Sequence, residues 1–387
     1  MLNSMPIILW PFGSLAAFVA IFIAYVLGLV LMFIAASKIA PSVARRLSGR
    51  LSLHASMALL GAVLVIGSLA AVALLVLMAG AVLGAGMAVG MAVTAAFFVL
   101  LGNALTYLIS PFMINLMYGA REDPELQAVV NEVAAQAGFS RPPKAVVVGG
   151  PANAFAYGNF LSGRYVAVSS EMIRITNRDE LKAVIGHELG HHKHRDNAIM
   201  LFIGLLPSLI YYMGLFLVQA SFYARSASKR EQGIGGGILL LLAGAAAIVV
   251  SFLVQILVLA FSRLREYYAD AHGAQMAGAR AMQRALAKLH LYYDYSPRAK
   301  DAVSSSKIRA LFIYAFVNAV ANPLWPYPPA RPSRDLRNVD VDSVIDELRR
   351  MEVSGVSEIL STHPPIPKRI RFLDSLSGGP EHVIHVM

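Results

Sequence analysis

Residues 187–191 read His-Glu-Leu-Gly-His, two histidines four apart with a glutamate directly after the first. On a helix, side chains at that spacing leave the same face one turn apart. The imidazoles of His187 and His191 can then reach a single zinc ion, with Glu188 able to act on a water bound to it. A helix is expected here on independent grounds. Asn177 suits an N-cap with Glu180 three residues on, and Leu181, Val184, Ile185 and Leu189 form an apolar stripe beside the histidines. The plainer alternative is a solvated charged face, since Arg178, Asp179, Lys182, His192 and His194 crowd the same segment.

A hydrolytic zinc site uses three protein ligands and keeps a fourth position open for water. The chain has no cysteine, so a third ligand must be His, Asp or Glu, and His192, His194 and His272 are read as non-ligands because a fourth would close the site. One candidate is Arg265-Glu266-Tyr267-Tyr268-Ala269-Asp270, where Glu266 and Asp270 share a helix face. Glu266 can meet the metal while Asp270 accepts a hydrogen bond from a ligand imidazole. The same acid spacing is commonplace on solvated helices, so it decides nothing alone.

These groups must be positioned by a chain of 387 residues that is 57% hydrophobic and only 14% charged, with a mean hydropathy of +0.60. Soluble domains are about 25% charged, so the composition points to a multi-pass membrane protein. The absence of cysteine excludes disulfides, Cys-ligated zinc and a thiol nucleophile. The net charge of +10 is not one basic patch with interleaved aromatics; the bases flank apolar segments, which suits a lipid bilayer and not nucleic acid. No motif sets an oligomeric state.

Four segments follow in order. Residues 1–111 hold three transmembrane helices near 7–36, 57–80 and 87–110, the last two separated by the glycine-rich stretch Gly80 to Gly90. Gly80/Gly84 and Gly86/Gly90 have small-xxx-small spacing, which marks either helix packing or only the turn. Residues 112–197 form the first part of a catalytic domain. It has a helix over 124–137 capped by Asp123, strands at Ala145–Val148, Ala152–Gly158 and Arg164–Ser169, and then the zinc-motif helix. Residues 198–262 form a membrane hairpin, near 198–222 and 236–261; Gln219 and Gln255 in it, and Asn103 in the third span, read as interhelical hydrogen-bonding groups. Residues 263–387 complete the catalytic domain. They comprise a long helix Arg265–Leu291, a helix Lys307–Val320, the proline-rich loop Asn322–Ser333, a short helix Asp342–Met351 and a last helix from about Lys368. The fold class is therefore mainly α, a multi-pass membrane protein with an α+β zinc-protease domain and a small β-sheet.

His187-Glu188-x-x-His191, a membrane hairpin, Glu266-x-x-x-Asp270 and Ser361-Thr362-His363-Pro364-Pro365 together closely resemble the HtpX-like membrane metalloproteases, relatives of the zinc-type CAAX prenyl endopeptidases. Asn153-Ala154-Phe155 resembles that family's Asn-Ala-Phe segment, and the likeness covers roughly 110–290 and 355–375. The resemblance implies a gluzincin-type domain holding one Zn2+ with His187, His191 and Glu266 as ligands. It implies Glu188 as general base, Asp270 behind a ligand imidazole, His363 as a transition-state hydrogen-bond donor with Arg369 as its partner, and Asn153, Ala154 and Phe155 along the substrate. The chain departs from the commoner pattern in having three spans before the catalytic region, where two are usual, and in its proline-rich insert.

The expected function is cleavage of membrane or misfolded polypeptides, as in membrane protein quality control. A CAAX prenyl-protein endopeptidase and a catalytically inactive membrane scaffold are the alternatives. An intramembrane site is disfavoured by Arg178, Asp179, Glu180 and Lys182 on the zinc helix. The loop 38–50 holds four basic and no acidic residues, so the positive-inside rule puts it and the catalytic region in the cytoplasm. The 225–230 loop, with three basic residues, objects; early spans usually dominate orientation.

Overall fold

The charge-free stretch 51–120 folds as two helices, α1 (Gly49–Leu83) and α2 (Ala85–Met117), parted at Gly84. The structure, a computed structural model, describes residues 49–227, 231–294, 340–352 and 363–377. The expected span 7–36, the expected helix 307–320 and the proline-rich loop 322–333 lie outside those residues. After α2 come β1 (Arg121–Glu122), α3 (Pro124–Gln136), β2 (Lys144–Val148), β3 (Ala154–Asn159), β4 (Gly163–Ser169), α4 (Ser170–Ile175) and α5 (Arg178–Lys193). Then follow α6 (Asp196–Ala227), α7 (Glu231–Ala277), α8 (Ala279–Asp294), α9 (Val341–Arg350) and α10 (Ile366–Ser377). The chain divides into two units, Met1–Asn103 with Phe202–Phe261, and Ala104–Leu201 with Ser262–Met387.

Among the described residues four helical stretches are long and apolar enough to cross a membrane: Met57–Leu83, Ala85–Met117, Asp196–Tyr223 and Gly236–Ala277. Within the first unit, Leu64, Leu75, Met78, Ile210, Met213, Leu217 and Leu240 are buried, while Ile66, Val93, Phe97 and Phe98 face outward. An apolar outer surface belongs on a helix whose solvent is lipid. The glycines that let helices touch are Gly214 and Gly244, where a Cβ on either would lie within 3 Å of the other's carbonyl. Among the described residues nothing stands within 4 Å of a Cβ placed at Gly86 or Gly90, so these residues form no packing face there. The Asn103 side chain donates to Val99 O of its own helix at 2.7 Å.

One boundary differs from the sequence reading. The hairpin's second span and the helix from Arg265 are a single element, α7, and the break comes at Gly278, where φ is +89°. Isolated charges do not interrupt a helix, whereas a residue in the left-handed region does, and glycine adopts it without steric cost.

In the second unit the four strands run β1-β2-β4-β3, with β2 and β4 parallel and β3 antiparallel to β4, so that β3 is an edge. Alternation along β4 sorts its side chains. Val166 and Val168 enter a core with Val130, Val133, Ile185, Leu189 and Tyr292, while Ala167 joins Val146, Val148 and Tyr157 on the other face. Asp123 caps α3 through Leu126 N, with Pro124 at the first helical position, as the sequence suggests. Helix α8 holds α9 and α10 through Ala287, Ile345, Leu348 and Ile370, and Gln283 donates to Ile370 O.

Candidate metal centre

Helix α5 is fixed before its histidines are reached. The Asn177 side chain accepts from Glu180 N, and Glu180 returns a bond to Asn177 N. The same buried Glu180 takes Arg284 Nε at 3.1 Å and Lys288 Nζ at 2.6 Å, which ties α5 to α8. On its other side Arg178 and Lys182 both meet Glu132 of α3. The charges crowding the motif are thus engaged with neighbouring helices, and His187 and Glu188 are buried.

Small residues then let α7 approach. A Cβ on Gly190 would stand 3.2 Å from Ala269 Cα, and one on Gly273 would stand 2.6 Å from Ala183 O. Backbone packs on backbone, and Glu266 arrives beside the two imidazoles. His187 Nε2 and His191 Nε2 are 3.2 Å apart, with Glu266 Oε1 3.5 Å from the latter and Oε2 3.7 Å from the former. A tetrahedral zinc with bonds of about 2.0–2.1 Å has ligand-to-ligand edges of roughly 3.3–3.4 Å. The donor set and its spacing fit such an ion, and this is the one His/Asp/Glu metal-type cluster among the described residues.

Each imidazole is held from behind. Asp270 Oδ1 is 3.0 Å from His187 Nδ1, and Arg369 donates to Asp270 from Nε at 2.8 Å and from Nη2 at 2.5 Å. Burial works against the Arg369 charge, but the Asp270 carboxylate outweighs it and raises the guanidinium above its usual value. His191 has a matching arrangement: its Nδ1 is 2.7 Å from Asp196 Oδ2, and Asp196 is paired with Arg265. With carboxylates accepting at both Nδ1 atoms, each Nδ1 bears the proton and each Nε2 lone pair faces the shared space.

His363 Nδ1 lies 2.7 Å from Glu266 Oε2, so the residue before the two prolines reaches the same cluster while remaining largely exposed. His187, His191, Glu266, Asp270, His363 and Arg369 are therefore together, with Arg369 paired to Asp270 and 3.8 Å from the Glu266 oxygen that His363 meets. Asn153, Ala154 and Phe155 lie at the start of the edge strand β3, which packs against the helix that carries the two histidines. There Asn153 O accepts from Ser169 N while Asn153 N donates to the Ser169 hydroxyl, and the Phe155 ring packs 5.4 Å from that of Tyr118. His192 and His272 are spoken for, donating to Tyr165 O at 2.8 Å and Gly186 O at 2.7 Å. Burial outweighs the first of these bonds and pushes His192 down to about 4.

Two residues escaped the sequence reading, Asp196 and Arg265. A signal existed. Asp196 is the only acid between 189 and 230, just past the zinc helix and at the mouth of an apolar span.

The model of the family described as Peptidase family M48 matches residues 120–377. A protein named Protease HtpX homolog from Pyrobaculum calidifontis is 52% identical over 352 residues, 91% of this chain and 96% of that protein. Its namesake from Archaeoglobus fulgidus is 48% identical over 351 residues, 91% of this chain and 95% of the other. Among solved structures, S. mikatae Ste24p aligns with a TM-score of 0.46 and 16% identity, over 73% of this chain and 58% of that one. The chain belongs to peptidase family M48, a membrane metalloprotease with several spanning helices.

Proposed function

We propose that this chain is a zinc endopeptidase that cuts membrane or misfolded polypeptides, with His187, His191 and Glu266 as its metal ligands. The observation behind this reading is the convergence of three ligand atoms from separate parts of the chain, with a buried carboxylate behind each imidazole. Zinc, when bound, lowers the pKa of its water to about 7 and polarises the substrate carbonyl. Glu188 would serve as the general base, moving a proton from the attacking water to the leaving amine. His363 donates a hydrogen bond to the oxyanion that develops on the scissile carbonyl. Asp270, oriented by Arg369, and Asp196, oriented by Arg265, keep the ligand imidazoles in one tautomer and one rotamer. The outer edge of β3 at Asn153, Ala154 and Phe155 holds the substrate extended by main-chain bonds. The catalytic region faces the cytoplasm, because the first basic loop sets the orientation.

Glu188→Gln should abolish hydrolysis of an unfolded protein substrate while leaving one zinc per chain, whereas Glu266→Ala should lose the metal. Activity within a few-fold of the parent in Glu188→Gln, or undiminished zinc in Glu266→Ala, would overturn these assignments.

A further inference from the structure

Pro111 lies inside α2 and has no N–H, so Tyr107 O, four residues earlier, is without its intrahelical donor. In an apolar helix an unsatisfied carbonyl is costly, and a neighbouring polar group is needed. The Ser110 hydroxyl donates to Tyr107 O at 3.2 Å, and Asn159, the last residue of β3, is its second and shorter donor. Its Nδ2 donates to Tyr107 O at 2.8 Å and to Leu108 O at 3.1 Å. Its Oδ1 accepts from Leu161 N at 2.9 Å and Ser162 N at 2.8 Å. One buried side chain thus closes the β3–β4 turn and clamps it to α2.

The clamp fixes where the tip of that turn sits. Phe160 and Leu161 at the tip are 76% and 70% exposed, and the Phe160 ring stands 6.2 Å from that of Tyr107. On the same stretch of α2 Leu105, Leu108 and Ile109 are also exposed, so the two tip residues extend one apolar surface. Single exposed apolar residues need no explanation, but two in succession joined to a lipid-facing helix do. The length of α2 sets their depth. From Ala85 to Tyr107 is 22 residues (107 − 85), about 33 Å at roughly 1.5 Å per residue, against a hydrocarbon core about 30 Å thick. With Ala85 at one edge of the hydrocarbon, Tyr107 and the clamped tip come to the opposite edge.

We infer that Phe160 and Leu161 dip into the acyl-chain edge of the bilayer and seat the β3–β4 turn on the membrane as a second lipid contact of the catalytic unit. The occupant of this surface is lipid, by continuity with the outer face of α2. For substrates the consequence, which rests on the protease reading, is a preference for polypeptide emerging from the membrane. A strand pairing with β3 would start at the lipid surface and run along its six residues, about 20 Å at roughly 3.3 Å each.

The test does not use activity, so its failure and a failure of the protease reading are distinguishable. In this naturally cysteine-free chain, Phe160→Cys and Leu161→Cys are labelled separately with an environment-sensitive fluorophore and reconstituted into phosphatidylcholine vesicles. References are Val93→Cys on the outward face of a spanning helix and Glu125→Cys on exposed α3, and each variant must melt like the parent. The expected result is blue-shifted emission, quenching by lipids spin-labelled in the acyl chain, and an iodide quenching constant near that of the Val93 site. Iodide quenching like that of the Glu125 site would show a tip in water and overturn the inference. Quenching by neither agent would show it covered by protein, a second copy included, and would overturn it equally.

Discussion

Asp196→Asn tests whether the zinc site is built by two carboxylates or by one. The substitution keeps an oxygen for the His191 Nδ1 proton, now 2.7 Å from Asp196 Oδ2, and removes the charge that holds the proton there. Loss of such a partner typically costs 10–100-fold in metal affinity, about 1.4–2.8 kcal/mol. A separate effect falls on the fold. Asp196 and Arg265 are both buried, at 7% and 4% exposure, and deleting one member of such a pair costs about 3–5 kcal/mol. The Arg265 bond to His194 O at 3.3 Å offsets part of this. The two effects are separated by Asp196→Asn/Arg265→Met, which removes the buried charge as well. The single variant should lose stability and affinity, and the double variant should recover melting temperature without recovering affinity. The assays are thermal unfolding of metal-free protein and zinc competition against a chromophoric chelator. Zinc affinity within two- to three-fold of the parent in Asp196→Asn would refute the reasoning.

Gly273→Ala should weaken zinc binding and cost about 1–3 kcal/mol, because the new Cβ meets Ala183 O and pushes α7 away from α5; Gly86→Ala, in open space, is the neutral control. Unchanged zinc affinity in Gly273→Ala would show that the helix contact does not set the position of Glu266. Metal-free protein should lose stability as pH falls from about 6.5 toward about 4. The sign follows from His192: burial keeps it neutral in the fold, with a value of about 4, so the unfolded chain binds the proton first. His192→Gln, whose amide can still donate to Tyr165 O, should flatten the melting temperature between pH 7 and pH 5; an unchanged slope would assign the effect to other groups. In intact cells, Glu125→Cys should resist an impermeant thiol reagent if the catalytic unit is cytoplasmic, and ready labelling would reverse the orientation.

How much of this could be read in advance depends on the range over which each residue acts. The zinc helix was legible because its determinants are local: the reciprocal cap of Asn177 and Glu180, the apolar stripe and the i,i+4 histidines all lie within about four turns. From its spacing alone Glu266 was legible only as a candidate, because its contact with the histidines is set by glycines whose role is invisible until two backbones meet; the family resemblance made it a ligand. The clamp at Asn159 is further out of reach, since Pro111 predicts a carbonyl that lacks its helical donor but not that a side chain 52 positions from Tyr107 will join Ser110 in satisfying it. Asp196 differs from these. It is an acid opening an apolar helix, and charge at that place needs a partner whether or not a metal is invoked. An inventory of acids that are expensive where they stand would have found it, and the same inventory finds Asp270, which Arg369 compensates in the same way. Each ligand imidazole then leans on a carboxylate that an arginine stabilises, so the site's rigidity is provided by charges the apolar surroundings make costly to leave unpaired.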